Sequence, residues 1–186
     1  MTTALRRLRS ASRPTRRLLA GMAVCLLALA GCSSGPSAHE WATAVCGALG
    51  PWRTTIADLN QQAANQMATA TTSEQTRENL MRLLSSARLA SETARAAIAA
   101  AGVPDVDGGE AVAHGFEATL AGTRDAYAQA EADLAALSTS DDTEFYDGVA
   151  AVLTRLTDQY EGSGIDLAGL DSPELKQAFD GIAECR

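Results

Sequence analysis

From about residue 38 onward, apolar residues return every three or four positions in long stretches separated by clusters of Gly, Pro, Ser, Thr and Asp. That period belongs to amphipathic helices, and no strand-like alternation of useful length occurs. The first stretch, about Ala38 to Thr69, carries Trp41, Val45 and Leu49, then Trp52, Ile56, Leu59, Ala63 and Met67. Gly50-Pro51 predicts a break or kink between two helical pieces, because proline has no amide to donate and restricts the residue before it. The second stretch, about Ser73 to Ala101, places Leu80, Leu84, Ala87, Ser91, Ala94 and Ile98 on one seam, and Gly102 and Pro104 supply its stop.

A third stretch, about Gly108 to Leu137, is the most regular, with Phe116, Leu120, Thr123, Tyr127, Ala130, Leu134 and Leu137 in steps of four and three. Asp107 and Glu110 stand at capping-box spacing before it, as do Asp141 and Glu144 before a fourth stretch carrying Phe145, Val149, Val152, Leu156 and Tyr160. Gly162-Ser163-Gly164 ends the fourth. Ser172-Pro173-Glu174 then opens a short helix with Leu175, Phe179 and Ile182, leading to Cys185. Short links between long helices make neighbours antiparallel. The expected fold is all-α, an up-and-down four-helix bundle with a short extra C-terminal helix.

The start of the chain follows a different pattern. Arg6, Arg7, Arg9, Arg13, Arg16 and Arg17 occur without an acid, and Leu18 to Ala30 is an almost unbroken apolar run, short for a membrane span of about 20 residues. The run closes on Leu29-Ala30-Gly31-Cys32, which resembles the bacterial lipobox. The resemblance implies cleavage before Cys32 and a diacylglycerol on its thiol. The expected organisation is a lipoprotein signal peptide over 1–31, a lipidated tether over 32–38 and the bundle over 39–186. Export by the general secretory pathway is favoured, with the twin-arginine route left open by Arg16-Arg17.

Charge follows from the cut. The whole chain has 15 Lys+Arg against 23 Asp+Glu. Six arginines leave with the leader, so nine basic residues face 23 acids and the mature charge is −14. The sign is wrong for nucleic-acid binding and for attraction to anionic headgroups, so attachment falls to the acyl chains. At 46% hydrophobic the chain is too apolar for an acidic disordered protein. Once Cys32 is acylated and Cys25 discarded, Cys46 and Cys185 remain, and an oxidising compartment would join them in a disulfide closing the bundle.

Candidate chemistry is sparse. The two histidines, His39 and His114, are far apart. Glu110 and His114 share a helical face but lack the Glu-x-x-His spacing of di-iron bundles. No nucleophile elbow, phosphate loop, haem motif or EF-hand occurs, and acid pairs such as Glu131/Asp133 and Asp141/Asp142 fit solvated helix faces. No catalytic residue, metal ligand or cofactor is expected. Trp41 and Trp52 are the candidate interaction residues, with core burial as their other fate.

Cys46-Gly47-Ala48-Leu49-Gly50-Pro51-Trp52, Ala101-Gly102-Val103-Pro104 and Ser172-Pro173-Glu174-Leu175-Lys176-Gln177-Ala178-Phe179 with Cys185-Arg186 resemble small secreted proteins and lipoproteins of actinobacteria. The resemblance implies an exported helical domain of a family with uncharacterised function, and transfers no active residue. The expectation is a non-enzymatic lipoprotein on the extracytoplasmic face of the cytoplasmic membrane, acting as an interaction or accessory module on an envelope protein partner. The alternative is a carrier or sensor holding a small apolar ligand or metal between helices.

Overall fold

The computed structural model describes residues 35–161 and 170–185. The chain divides into two compact units, Met1–Ser33 and Ser34–Arg186, and the description concerns the second. The expected leader, Cys32 and the start of the tether lie outside the described residues.

Five α-helices follow one another: α1 (Ala38–Met67), α2 (Ser73–Ala101), α3 (Gly109–Ala135), α4 (Asp142–Glu161) and α5 (Pro173–Asp180), with a 3-10 turn over Ala183–Cys185. No strand occurs among the described residues. The packing is that of an up-and-down bundle. The α2–α3 interface is the most extensive, α1 lies on α2, α4 lies on α3 with a brief approach to α2, and α5 lies on α1. The Cα atoms of α1 and α4 stay more than 8 Å apart. The fourth position of the bundle is therefore shared, α4 filling it beside the C-terminal half of α3 and α5 beside the N-terminal half of α1.

Burial follows the seams. One core cluster joins Trp41, Val45, Cys46 and Leu49 of α1 to Ala94 and Ile98 of α2, Phe116 and Leu120 of α3, and Leu175, Phe179 and Ile182. The other joins Leu80, Leu84 and Ala87 to Tyr127, Ala130 and Leu134 and to Phe145, Val149 and Val152. Ile56, Leu59 and Met67 of α1 flank this second cluster half-buried. Full burial of a side chain of this size contributes about 1.5–3 kcal/mol, so the two clusters are the main source of stability.

Helix ends are set by local chemistry. Ser37 and Glu40 form a reciprocal capping box on α1, and Thr72 accepts from Gln75 N–H at 3.2 Å ahead of α2. Asp141 accepts from Glu144 N–H at 2.9 Å, and Ser172 from Leu175 N–H at 3.3 Å with Pro173 in the first helical position. At the far end, the Ser73 hydroxyl donates to Asp142 and Arg77 donates to Leu137 C=O, tying α2 to the α3–α4 turn.

Three expectations are corrected. First, Gly50-Pro51 does not divide the first segment, and α1 runs through Pro51. Pro51 is exposed, so the Gly47 carbonyl left without its usual donor can be hydrated, while Leu49 and Trp52 on either side remain packed in one core. Second, Asp107 and Glu110 form no capping box. Gly108, at φ +74°, takes the cap position with no side-chain cap bond, leaving Asp107 one residue too early. Third, Gly35–Ser37, expected as free tether, dock on the α2–α3 connection, where Asp105 N–H donates to Pro36 C=O at 2.9 Å, while α1 begins at Ala38 as its spacing indicates.

Candidate functional site

Trp41 is fully buried. Its ring meets Phe116 edge-on at 5.4 Å and Phe179 at 6.0 Å, those two rings stack on each other at 6.0 Å, and its indole N–H donates to Gly102 C=O at 2.8 Å. It joins α1, α2, α3 and α5 and offers no surface to a partner. Trp52 is half-buried, and its indole N–H donates to the Ser91 hydroxyl at 3.1 Å. Of the two tryptophans, only Trp52 retains accessible surface.

Cys46 and Cys185 form a disulfide with Cα atoms 5.2 Å apart, closing a sequence separation of 139. Cys46 is fully buried and Cys185 half-buried. Cys32 lies outside the described residues. His39 is exposed in the first turn of α1, and Glu110 and His114 are exposed on α3. No group of three or more His, Cys, Asp or Glu residues that could hold a metal ion occurs among the described residues. Every buried side-chain nitrogen and oxygen described has a hydrogen-bond partner.

A cleft of about 260 Å3 lies between α3 and α4, floored by Ala126, Ala130, Val152 and Leu156 and rimmed by Gln129, Asp133, Arg155 and Gln159. Arg155 and Asp133 pair across it at 2.9 Å, and Gln129 donates to the same carboxylate at 2.8 Å. Gln129 and Arg155 hold the Asp133 carboxyl below its ordinary pKa. The charges at the rim thus neutralise each other, leaving a shallow apolar floor. Nearby, burial raises the pKa of the Tyr127 and Tyr160 phenols, whose rings meet edge-on at 6.1 Å.

Among the described residues, the large apolar side chains left exposed are Leu89, Val103, Tyr146 and Leu153. Tyr146 and Leu153 stand two turns apart on one face of α4, with exposed Ala150 between them. The sequence reading expects Tyr146 inside the bundle with the other aromatic residues and does not single out Leu153, and the exposure of Tyr146 corrects it. The signal was there, since neither lies on the Phe145–Val149–Val152–Leu156 stripe, and apolar residues off the seam of a helix point to solvent or to a partner. No helix among the described residues is long and apolar enough to cross a membrane. Comparison with protein-family models, with curated proteins and with solved structures gives no match.

Proposed function

We propose that the chain is an envelope lipoprotein, held on the extracytoplasmic face of the cytoplasmic membrane by a diacylglycerol on Cys32, and that its bundle is a non-enzymatic protein-interaction or accessory module. The observation that carries this reading is the acid-free, arginine-rich start followed by the apolar run that ends in Leu29-Ala30-Gly31-Cys32. The Cys46–Cys185 bridge is consistent with an oxidising compartment. The Tyr146–Leu153 face of α4 supports the interaction role. A carrier of an apolar ligand would seat it in the α3–α4 cleft, whose 260 Å3 falls below the roughly 300–1,000 Å3 of small-molecule sites, because the larger hollow of about 360 Å3 beside Gln66, Gln75, Glu78, Asn79 and Arg82 is lined by polar side chains.

Two measurements test it. Cys32→Ala should shift the protein from the membrane to the soluble fraction, and full membrane retention of that variant would reject the anchor. Bait protein exposed to detergent-solubilised membranes should capture a partner that the Tyr146→Ser/Leu153→Ser variant, folded by circular dichroism, captures several-fold less. Equal capture by both would reject the α4 face as the contact.

A further inference from the structure

The strap formed by Gly35, Pro36 and Ser37 passes over the α2–α3 connection at contact distance. A Cβ added to Gly35 would fall 2.0 Å from the Val103 carbonyl oxygen, so the backbone approaches as closely as only glycine permits. Pro36 C=O accepts from Asp105 N–H at 2.9 Å, and one helical turn on, the Trp41 indole N–H donates to the Gly102 carbonyl. Each successive attachment lands on the same short stretch, which also carries exposed Val103.

We propose that this strap determines which end of the bundle faces the phospholipid bilayer: the Gly102–Asp107 connection lies at the membrane surface, and the turns at 68–72 and 136–141 point away. The inference rests on the reading that Cys32 bears the lipid. Only Ser33 and Ser34 separate Cys32 from Gly35, a reach of at most about 11 Å from about 3.6 Å per residue. The 30-residue α1 spans about 45 Å at 1.5 Å per residue, so its far end lies well beyond that reach. The mature charge of −14, with exposed Asp105 and Asp107 at the connection itself, attracts no face of the bundle to an anionic bilayer, so the short lipidated link alone holds this end there.

The lipidated protein has Cys32 acylated and Cys46 bridged to Cys185, so one introduced cysteine is a unique labelling point. Val103→Cys and Ser140→Cys proteins, each carrying a fluorophore, are reconstituted into phosphatidylcholine vesicles doped with phosphatidylglycerol and with a headgroup-nitroxide lipid. Quenching should be several-fold stronger at position 103 than at 140. Gly35→Ala should shrink that difference while circular dichroism and the disulfide stay unchanged. Equal quenching at the two positions, or stronger quenching at 140, overturns the orientation, and an undiminished difference in Gly35→Ala overturns the role of the strap. Intact mass of the same samples separates the two levels of the argument. Absence of the diacylglyceryl adduct on Cys32 overturns anchor and orientation together, whereas the adduct with equal quenching overturns the orientation alone.

Discussion

Ser91 has no exposed surface in the middle of α2, and its hydroxyl has two roles: it donates to Ala87 C=O at 2.9 Å and accepts from the Trp52 indole at 3.1 Å. Replacing it with alanine keeps the helix and leaves the indole N–H without its acceptor. Ser91→Ala should therefore lower unfolding free energy by about 1–2 kcal/mol, within the range for a half-buried donor stripped of its partner. Trp52→Phe removes the donor, so the double variant should cost less than the sum of the singles by about 0.5–1.5 kcal/mol in urea titrations. A strictly additive result would show that the bond contributes nothing to stability. The serine's place on the seam was legible from the spacing of Leu84, Ala87 and Ala94, but its indole partner was not. That pairing depends on where α1 crosses α2, which spacing alone leaves undetermined.

The α2–α3 pair is held on its outer side by a ladder of charges. Arg88 meets Glu131 at 3.1 Å, Glu92 meets Arg124 at 2.9 Å and Arg95 at 2.6 Å, and Arg95 reaches Glu117 at 4.0 Å. Hydrogen bonds from Arg95 and then Arg124 lower the Glu92 carboxyl pKa to about 2 from an ordinary value of 4.5. The unfolded chain takes up that proton first as the solution is acidified. Glu92 therefore supports the fold fully above pH about 4.5, and its support is lost as pH falls through about 2. Glu92→Gln should flatten the fall of stability across that window, as read by urea titrations at stepped pH. Salt should weaken the wild-type effect because these groups face solvent. An unchanged slope in the variant would remove Glu92 from the ladder's energetics.

Element by element, the periodic seams of α2, α3 and α4 could be read in advance because a packed helix must repeat its apolar positions. Continuity through Pro51 could not, since the cost of one missing amide is weighed against packing on both sides of it. The Gly35–Ser37 strap was equally hidden. A polar Gly-Pro-Ser sequence has tether composition, and only the path of the distant α2–α3 connection makes it part of the fold.

For the molecule as a whole, the Cys46–Cys185 bridge is the largest single constraint. Closing a loop of this length removes roughly 5 kcal/mol of unfolded-state entropy on the chain-entropy model, with strain and residual structure reducing what is measured. Reduction should lower the thermal midpoint. In hydrogen exchange, α5 should lose protection ahead of α2 and α3, because α5 packs chiefly on α1 and has the bridge as its covalent hold. Uniform loss across all helices would show that the bundle opens only as one unit. The pairing was deduced from the two thiols left over, whereas the sharing of the fourth bundle position between α4 and α5 carries no signature in spacing.

The bridge also imposes an order in time. On the proposed export, a chain emerging from its N-terminal side would bring Cys46 into the oxidising space early, and its partner only after 139 further positions had passed. Until then the early thiol is open to glutathione-like adducts or to an oxidoreductase. In that case a covalently sealed bundle would record that translocation ran to the last helix, and a truncated chain would keep the Cys46 sulfur unbridged.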